Sequence, residues 1–87
     1  MTAQVNTSKL TAKDIESWLV NYLTKLLEIK ADEIENSVPI NNYGLDSSAI
    51  VVLTGELENW LGKEIDPTII YDYPTVKSLS KYLAEKF

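Results

Sequence analysis

The chain contains no cysteine and no histidine. Disulfides are thereby excluded, as are the usual Cys/His zinc sites and any Cys–His nucleophile pair. A chain without cysteine is compatible with the reducing cytoplasm, where this protein is expected. No stretch approaches the ~20 apolar residues of a membrane span. The leading MTAQVNTSK lacks a positive patch followed by an apolar core, so it does not read as a signal peptide. Thr2 stands where a myristoylation signal requires glycine. Residues 1–9 read instead as a flexible polar leader, and residues 10–87 as one domain.

Positive charge is scarce in one region. Residues 31–66 carry eight acids (Asp32, Glu33, Glu35, Asp46, Glu56, Glu58, Glu64, Asp66) against Lys63 alone, within a formal net charge of −5. The flanking segments are close to balanced. This distribution argues against a nucleic-acid partner, whose phosphates need a basic surface. It suits basic partner proteins, or solubility alone. A length of 87 residues allows one domain with a core of about 10–15 side chains. Such a core gives poor support to a deep active site and is enough for a small monomeric bundle that presents a surface.

What is present is helical. Thr11 caps a first helix, with Asp14 at its third position and Leu10 and Ile15 placed as a hydrophobic staple. Ile15, Trp18, Leu19, Tyr22, Leu26 and Ile29 recur mostly at steps of three and four, and Leu23 and Leu27 widen the stripe. This predicts a helix to about Glu28, with Trp18 in the core. Residues 30–45 show no sustained period. Asp32-Glu33-Ile34 predicts a short turn, and Ile34, Val38, Ile40 and Leu45 read as anchors of a long loop. Pro39 and Asn41-Asn42 argue against regular structure there. A loop of this length tends to be functional or mobile.

Asp46 is placed to cap a second helix from Ser47 to about Leu61, with Ile50, Leu53, Leu57 and either Trp60 or Leu61 facing inward. Val51 and Val52 are extra apolar residues outside that stripe. Gly55 lowers helix propensity and opens the surface beside it, and Gly62 is a natural stop. Asp66-Pro67 predicts a short helix over Pro67–Tyr71, which Pro74 interrupts. Thr75-Val76 opens a last helix with Val76, Leu79, Tyr82, Leu83 and Phe87 inward. The expected architecture is all-α: a four-helix bundle with three longer helices, a short third helix, and a long loop between the first two.

Within NYGLDSSAIVVL, Ser47 and Ser48 stand where a helix begins. A serine nucleophile needs a base and usually a group to orient it. Asp46, at an ordinary carboxylate pKa, is a weak base for a hydroxyl. The G-x-S-x-G elbow is absent, and Asp32, Glu33 and Glu35 lack calcium-loop spacing. No catalytic residue and no metal ligand is therefore expected. Ser48 reads as a solvated helix-start serine. Ser47, just past a capping aspartate, offers an exposed hydroxyl that another enzyme could modify. The positive end of the helix would favour any phosphate placed there.

Gly44-Leu45-Asp46-Ser47 resembles the attachment motif of acyl carrier proteins. The resemblance extends through Leu53, Leu57, Glu58 and Gly62, and through Ile70-Tyr71-Asp72-Tyr73-Pro74-Thr75-Val76 to Leu79 and Tyr82-Leu83. It covers about residues 11–86 and is closest to carrier domains of modular polyketide synthases. It implies a 4′-phosphopantetheine arm joined to Ser47 by a phosphodiester, with Gly44 and Asp46 supporting the motif. A phosphopantetheinyl transferase would add the arm from coenzyme A. Its thiol would hold acyl groups as thioesters for an acyltransferase or acyl-activating enzyme, a ketosynthase and modifying enzymes. The pathway would be polyketide or specialised fatty-acid biosynthesis.

Three positions depart from the family pattern. Ser48 replaces an apolar leucine or methionine, Val52 an often acidic residue, and Gly55 a larger apolar one. With Leu45, Val51 and Glu56, Ser48 and Val52 are the expected partner-recognition residues; Val52 implies partners with a more apolar docking surface there, and Ser48, in place of an apolar contact, implies unusual partners. Leu45-Asp46 favours an acyl cargo over the peptidyl or aminoacyl carriers, which commonly show Gly-Gly there. The other reading of the same residues is an unmodified helical adaptor that binds through Val51, Val52 and the nearby acids. Val38, Ile40, Leu53, Leu57, Ile69, Ile70 and Tyr73 line either a transient acyl cleft or simply the core.

Overall fold

A computed structural model describes residues 11–87. Helix α1 spans Ala12–Leu27. Thr11 Oγ1 accepts the Asp14 N–H at 3.1 Å, and Asp14 Oδ2 accepts the Thr11 N–H at 3.0 Å, so the capping box satisfies two orphan donors reciprocally. The polar leader and the Leu10 half of the staple lie outside the described residues. Glu28 turns left-handed (φ 57°), and Ile29 N–H reaches back to the Thr24 carbonyl at 3.2 Å, which closes the helix.

Ile15, Leu19 and Leu23, at steps of four, are the buried ridge of α1. This corrects the expected stripe in two places. Leu23 is fully buried, whereas Leu26 is 44% exposed. Trp18, expected in the core, is half-buried and stacked between two other rings. The reason is geometric. Trp18, Tyr22 and Leu26 form the ridge beside the buried one, and a partner helix covers only one ridge fully.

Helix α2 spans Ser47–Leu61, helix α3 Ile69–Asp72 and helix α4 Val76–Lys86. No strand is formed among the described residues; Pro39 and Thr75 make one isolated antiparallel bridge. Ile50, Leu53 and Leu57 of α2 are buried as expected, joined by Thr54. The Thr54 hydroxyl donates to the carbonyls of Ile50 (3.2 Å) and Val51 (2.9 Å), which satisfies it without a distant partner. Val76, Leu79 and Leu83 of α4 are buried mainly against α1, while Tyr82 and Phe87 sit at the core margin.

The expected third helix starts too early. Asp66 Oδ1 takes the Thr68 N–H (3.0 Å) and the Thr68 hydroxyl (2.8 Å), so it closes a turn over Pro67-Thr68 instead of capping a helix at Pro67. Helical residues begin at Ile69.

The segment between α1 and α2 contains two single 3₁₀ turns, Ala31–Glu33 and Ile40–Tyr43. The first matches the expected turn. The second lies where Pro39 and the asparagines argued against regularity. Pro39 precedes the turn and needs only its carbonyl, which accepts the Asn42 N–H at 2.9 Å. Ile34 and Ile40 are buried anchors, with Val38 and Leu45 half-buried. The loop is also tied by its backbone: Ile40 N–H donates to Pro74 O (2.7 Å) and Lys77 N–H to Asn36 O (3.0 Å). Glu35 N–H donates to the Tyr43 hydroxyl at 2.8 Å. These bonds fix the approach to Ser47 against the α3–α4 corner.

Candidate functional site

Gly44 ends the second 3₁₀ turn with φ 85°, a left-handed conformation that costs glycine little and other residues more. Leu45 packs half-buried against the core and holds the chain at this point. Asp46 is extended, and its Oδ1 accepts the Ala49 N–H at 2.8 Å. The first α-helical bond runs from Ile50 N–H to Asp46 O at 3.0 Å. Ser47 is therefore the first helical residue, and the amides of Ser47 and Ser48 precede any intrahelical acceptor. Both serines are exposed.

The site has no machinery for self-contained nucleophilic catalysis. Asp46 already spends one carboxylate oxygen on the cap, and the chain has no histidine. Among the described residues, no group of three or more carboxylates is placed to hold a metal ion. What the geometry offers is an exposed hydroxyl at the positive end of a 15-residue helix. That fits a phosphodiester, which needs access and a favourable field but no base from this chain.

A shallow cleft of about 170 Å³ opens beside Ser47, with Asn41 and Leu45 on one side and Ile70, Tyr71 and Pro74 on the other. Tyr71 is 66% exposed. Neither Asn41 nor Tyr71 was expected at the site. Ile69 and Ile70, expected to line a cleft or the core, are buried, but a helix of four residues has no readable period that would carry Tyr71 to this cleft. Of the residues weighed as an acyl cleft, Ile40, Leu53, Leu57, Ile69 and Ile70 are buried in the core, Tyr73 packs at its edge, and Val38 is half-buried. Only Ile70 also reaches the cleft beside Ser47.

Of the expected recognition residues, Ser48, Val51, Val52 and Glu56 fall on two neighbouring ridges of α2, and Leu45 precedes the helix. Ser47, Val51 and Gly55 follow at steps of four, and so do Ser48, Val52 and Glu56. All six are exposed, whereas Leu45 is half-buried. A Cβ added at Gly55 would meet open space, so this glycine leaves the outer face flat without serving any close contact.

A family model described as "Phosphopantetheine attachment site" matches residues 17–83. The chain belongs to the acyl carrier protein family, related to the carrier domains of polyketide and fatty-acid synthases. It is a non-catalytic carrier that bears phosphopantetheine and shuttles acyl thioesters, which sets aside the unmodified-adaptor reading. The acyl carrier protein TtuC of Teredinibacter turnerae is 36% identical over 77 residues, covering 88% of each chain. Polyketide synthase PksL of Bacillus subtilis is 32% identical over 84 residues, which are 97% of this chain but 2% of that one. Among solved structures, an acyl carrier protein from Anabaena sp. PCC 7120, described as having a variant phosphopantetheinylation-site sequence, superposes with a TM-score of 0.85. It is 37% identical and 99% of each chain is covered.

The carrier role entails contact with a phosphopantetheinyl transferase and with acyltransferase- and ketosynthase-type enzymes. No helix among the described residues is long and apolar enough to cross a membrane.

Proposed function

We propose that Ser47 carries the arm, in phosphodiester linkage, and that the chain serves a polyketide or specialised fatty-acid pathway in the cytoplasm. Residues 10–87 act as the carrier domain, working as a monomer. The observation that carries the assignment to Ser47 is its exposed hydroxyl at the first position of α2, beside the Asp46 cap. Gly44 supports it by allowing the left-handed turn that brings Leu45 to the core and Asp46 to the cap. When attached, the arm supplies a thiol that holds acyl groups as thioesters. The protein's part is to present the hydroxyl, stabilise the phosphate at the helix terminus, and dock successive enzymes. Tethering then raises the effective concentration of cargo at each.

Leu45, Ser48, Val51, Val52 and Glu56 form the recognition set for the transferase, an acyltransferase or acyl-activating enzyme, a ketosynthase and modifying enzymes. Val52 makes that set less acidic and adapts it to an apolar docking surface, while Ser48 removes an apolar contact. The likeness to a polyketide synthase supports the pathway class.

Intact mass after incubation with coenzyme A and a broad-specificity transferase tests the assignment. The wild type and Ser48→Ala are expected to gain one phosphopantetheine, and Ser47→Ala none. A gain in Ser47→Ala but not in Ser48→Ala would transfer the assignment to Ser48. No gain in any of the three, with a control carrier modified, would overturn it.

A further inference from the structure

The 3₁₀ turn Ile40–Tyr43 leads directly into Gly44–Ser47, and its two ends are held differently. At the near end the Ile40 side chain is fully buried, and its N–H donates to Pro74 O at 2.7 Å. At the far end the turn's own closing bond is long, Gly44 N–H to Asn41 O at 3.3 Å. A side chain secures that end. The Tyr43 hydroxyl accepts the Glu35 N–H at 2.8 Å and donates to the Glu35 carbonyl at 3.3 Å. One phenol oxygen thus meets both backbone groups of a single residue, as a hydrogen-bonded neighbour in an antiparallel ladder would. The Glu35 carbonyl also takes the Val38 N–H at 3.2 Å, so the Glu35 N–H is the group that depends on Tyr43.

Glu35 is itself held on both sides. Ile34 before it is buried, and the carbonyl of Asn36 after it accepts the Lys77 N–H at 3.0 Å. The hydroxyl therefore connects the residue before Gly44 to the first turn of α4 through two residues of backbone. The Tyr43 ring adds packing at the core margin. Asn41, inside the clamped turn, lines the cleft beside Ser47 together with Leu45.

We propose that the Tyr43 hydroxyl is a positioning group for arm attachment, holding the approach to α2 in the shape that the transferase meets. The inference rests on the assignment of the arm to Ser47. In the transfer the Ser47 oxygen bonds to the phosphorus that bears pantetheine. The pyrophosphate bond of coenzyme A breaks, adenosine bisphosphate leaves, and the hydroxyl proton passes to the transferase. Tyr43 lies four residues before Ser47 and its hydroxyl is engaged by Glu35, so it acts through the chain and not on the reacting atoms. A segment ordered beforehand spares the docking step the entropy of ordering it. Without the hydroxyl that cost falls on docking. It then appears in KM, while kcat belongs to atoms that Tyr43 does not touch.

The test compares the wild type with Tyr43→Phe, which deletes the oxygen and keeps the ring. Both are full chains without an arm, verified by intact mass. Amide exchange at Glu35 is expected to quicken about fivefold in Tyr43→Phe, the equilibrium worth of one hydrogen bond. With coenzyme A and a broad-specificity transferase, KM for the carrier is expected to rise about fivefold at constant kcat. Gly62→Ala, strained at the other end of α2, is expected to leave KM unchanged, which separates positioning from general stability. Four results would each overturn the proposal: a Glu35 amide no faster, an unchanged KM, a fall in kcat at constant KM, or an equal rise of KM in Gly62→Ala. The exchange measurement needs no arm. An arm gained by Ser47→Ala would therefore count against the Ser47 assignment, and an unchanged Glu35 amide against the role of Tyr43.

Discussion

Asp46 and Asp66 each precede a helix, yet they do different work. Asp46 accepts an amide three residues ahead and starts a long helix. Asp66 accepts two donors from Thr68 and makes a turn. The Thr68 N–H holds the Asp66 carboxyl below the usual carboxylate range, with smaller help from the Thr68 hydroxyl and from Lys86. A carboxyl whose pKa is depressed on folding contributes stability that is fully present above its unfolded value of about 3.9 and lost as pH falls through the folded value. Carboxyl titration by NMR is therefore expected to give Asp66 a midpoint below that of a denatured control. Asp66→Asn should remove that part of the acid sensitivity. An Asp66 midpoint at or above the control would contradict this account. The dipeptide Asp66-Pro67 alone did not distinguish turn from cap, because the choice depends on Thr68 supplying two donors at once.

At the scale of elements, the two glycines of the α2 region predict opposite outcomes. Gly55 sits mid-helix with open space around a built Cβ. Gly55→Ala is expected to raise stability by about 1 kcal/mol, the propensity difference between the residues. Gly62 ends α2 at φ 71°, and Gly62→Ala should lower stability by about 1 kcal/mol because alanine is strained there. Urea midpoints with unchanged slopes measure both, and a loss of stability in Gly55→Ala would show a contact this structure lacks. Periodicity made α1, α2 and α4 legible in the sequence. It did not reveal which ridge of α1 faces α4, because Ile15–Leu19–Leu23 and Trp18–Tyr22–Leu26 recur at the same steps of four. Partner contact, not composition, buries the first and leaves Leu26 exposed.

For the whole molecule, the loop bonds link elements far apart in sequence. Ile40 and Asn36 join the α3–α4 corner, so the loop cannot detach without freeing the backbone bonds to Pro74 and Lys77. One cooperative unfolding transition is expected, with tryptophan emission, which reports on α1–α2, coinciding with far-ultraviolet dichroism, which reports on all helices. Separated midpoints would show the loop or α3 opening on its own.

The stretch Gly44–Ser47 was legible as a candidate site because Leu45, Asp46 and Ser47 read locally as an anchor, a cap and the first helical residue, and because the four residues together resemble the attachment motif; the left-handed turn at Gly44 came only with the structure. Helix number and most capping residues were legible from the same local signals. What only the tertiary structure decided are the meetings across the chain. Asn41 and Tyr71 flank one cleft, the long loop is bound to the α3–α4 corner, and Trp18 stacks on Trp60. Local sequence sets a helix's period and its ends. The rotation of that helix about its own axis is set only when other helices compete for its apolar ridges.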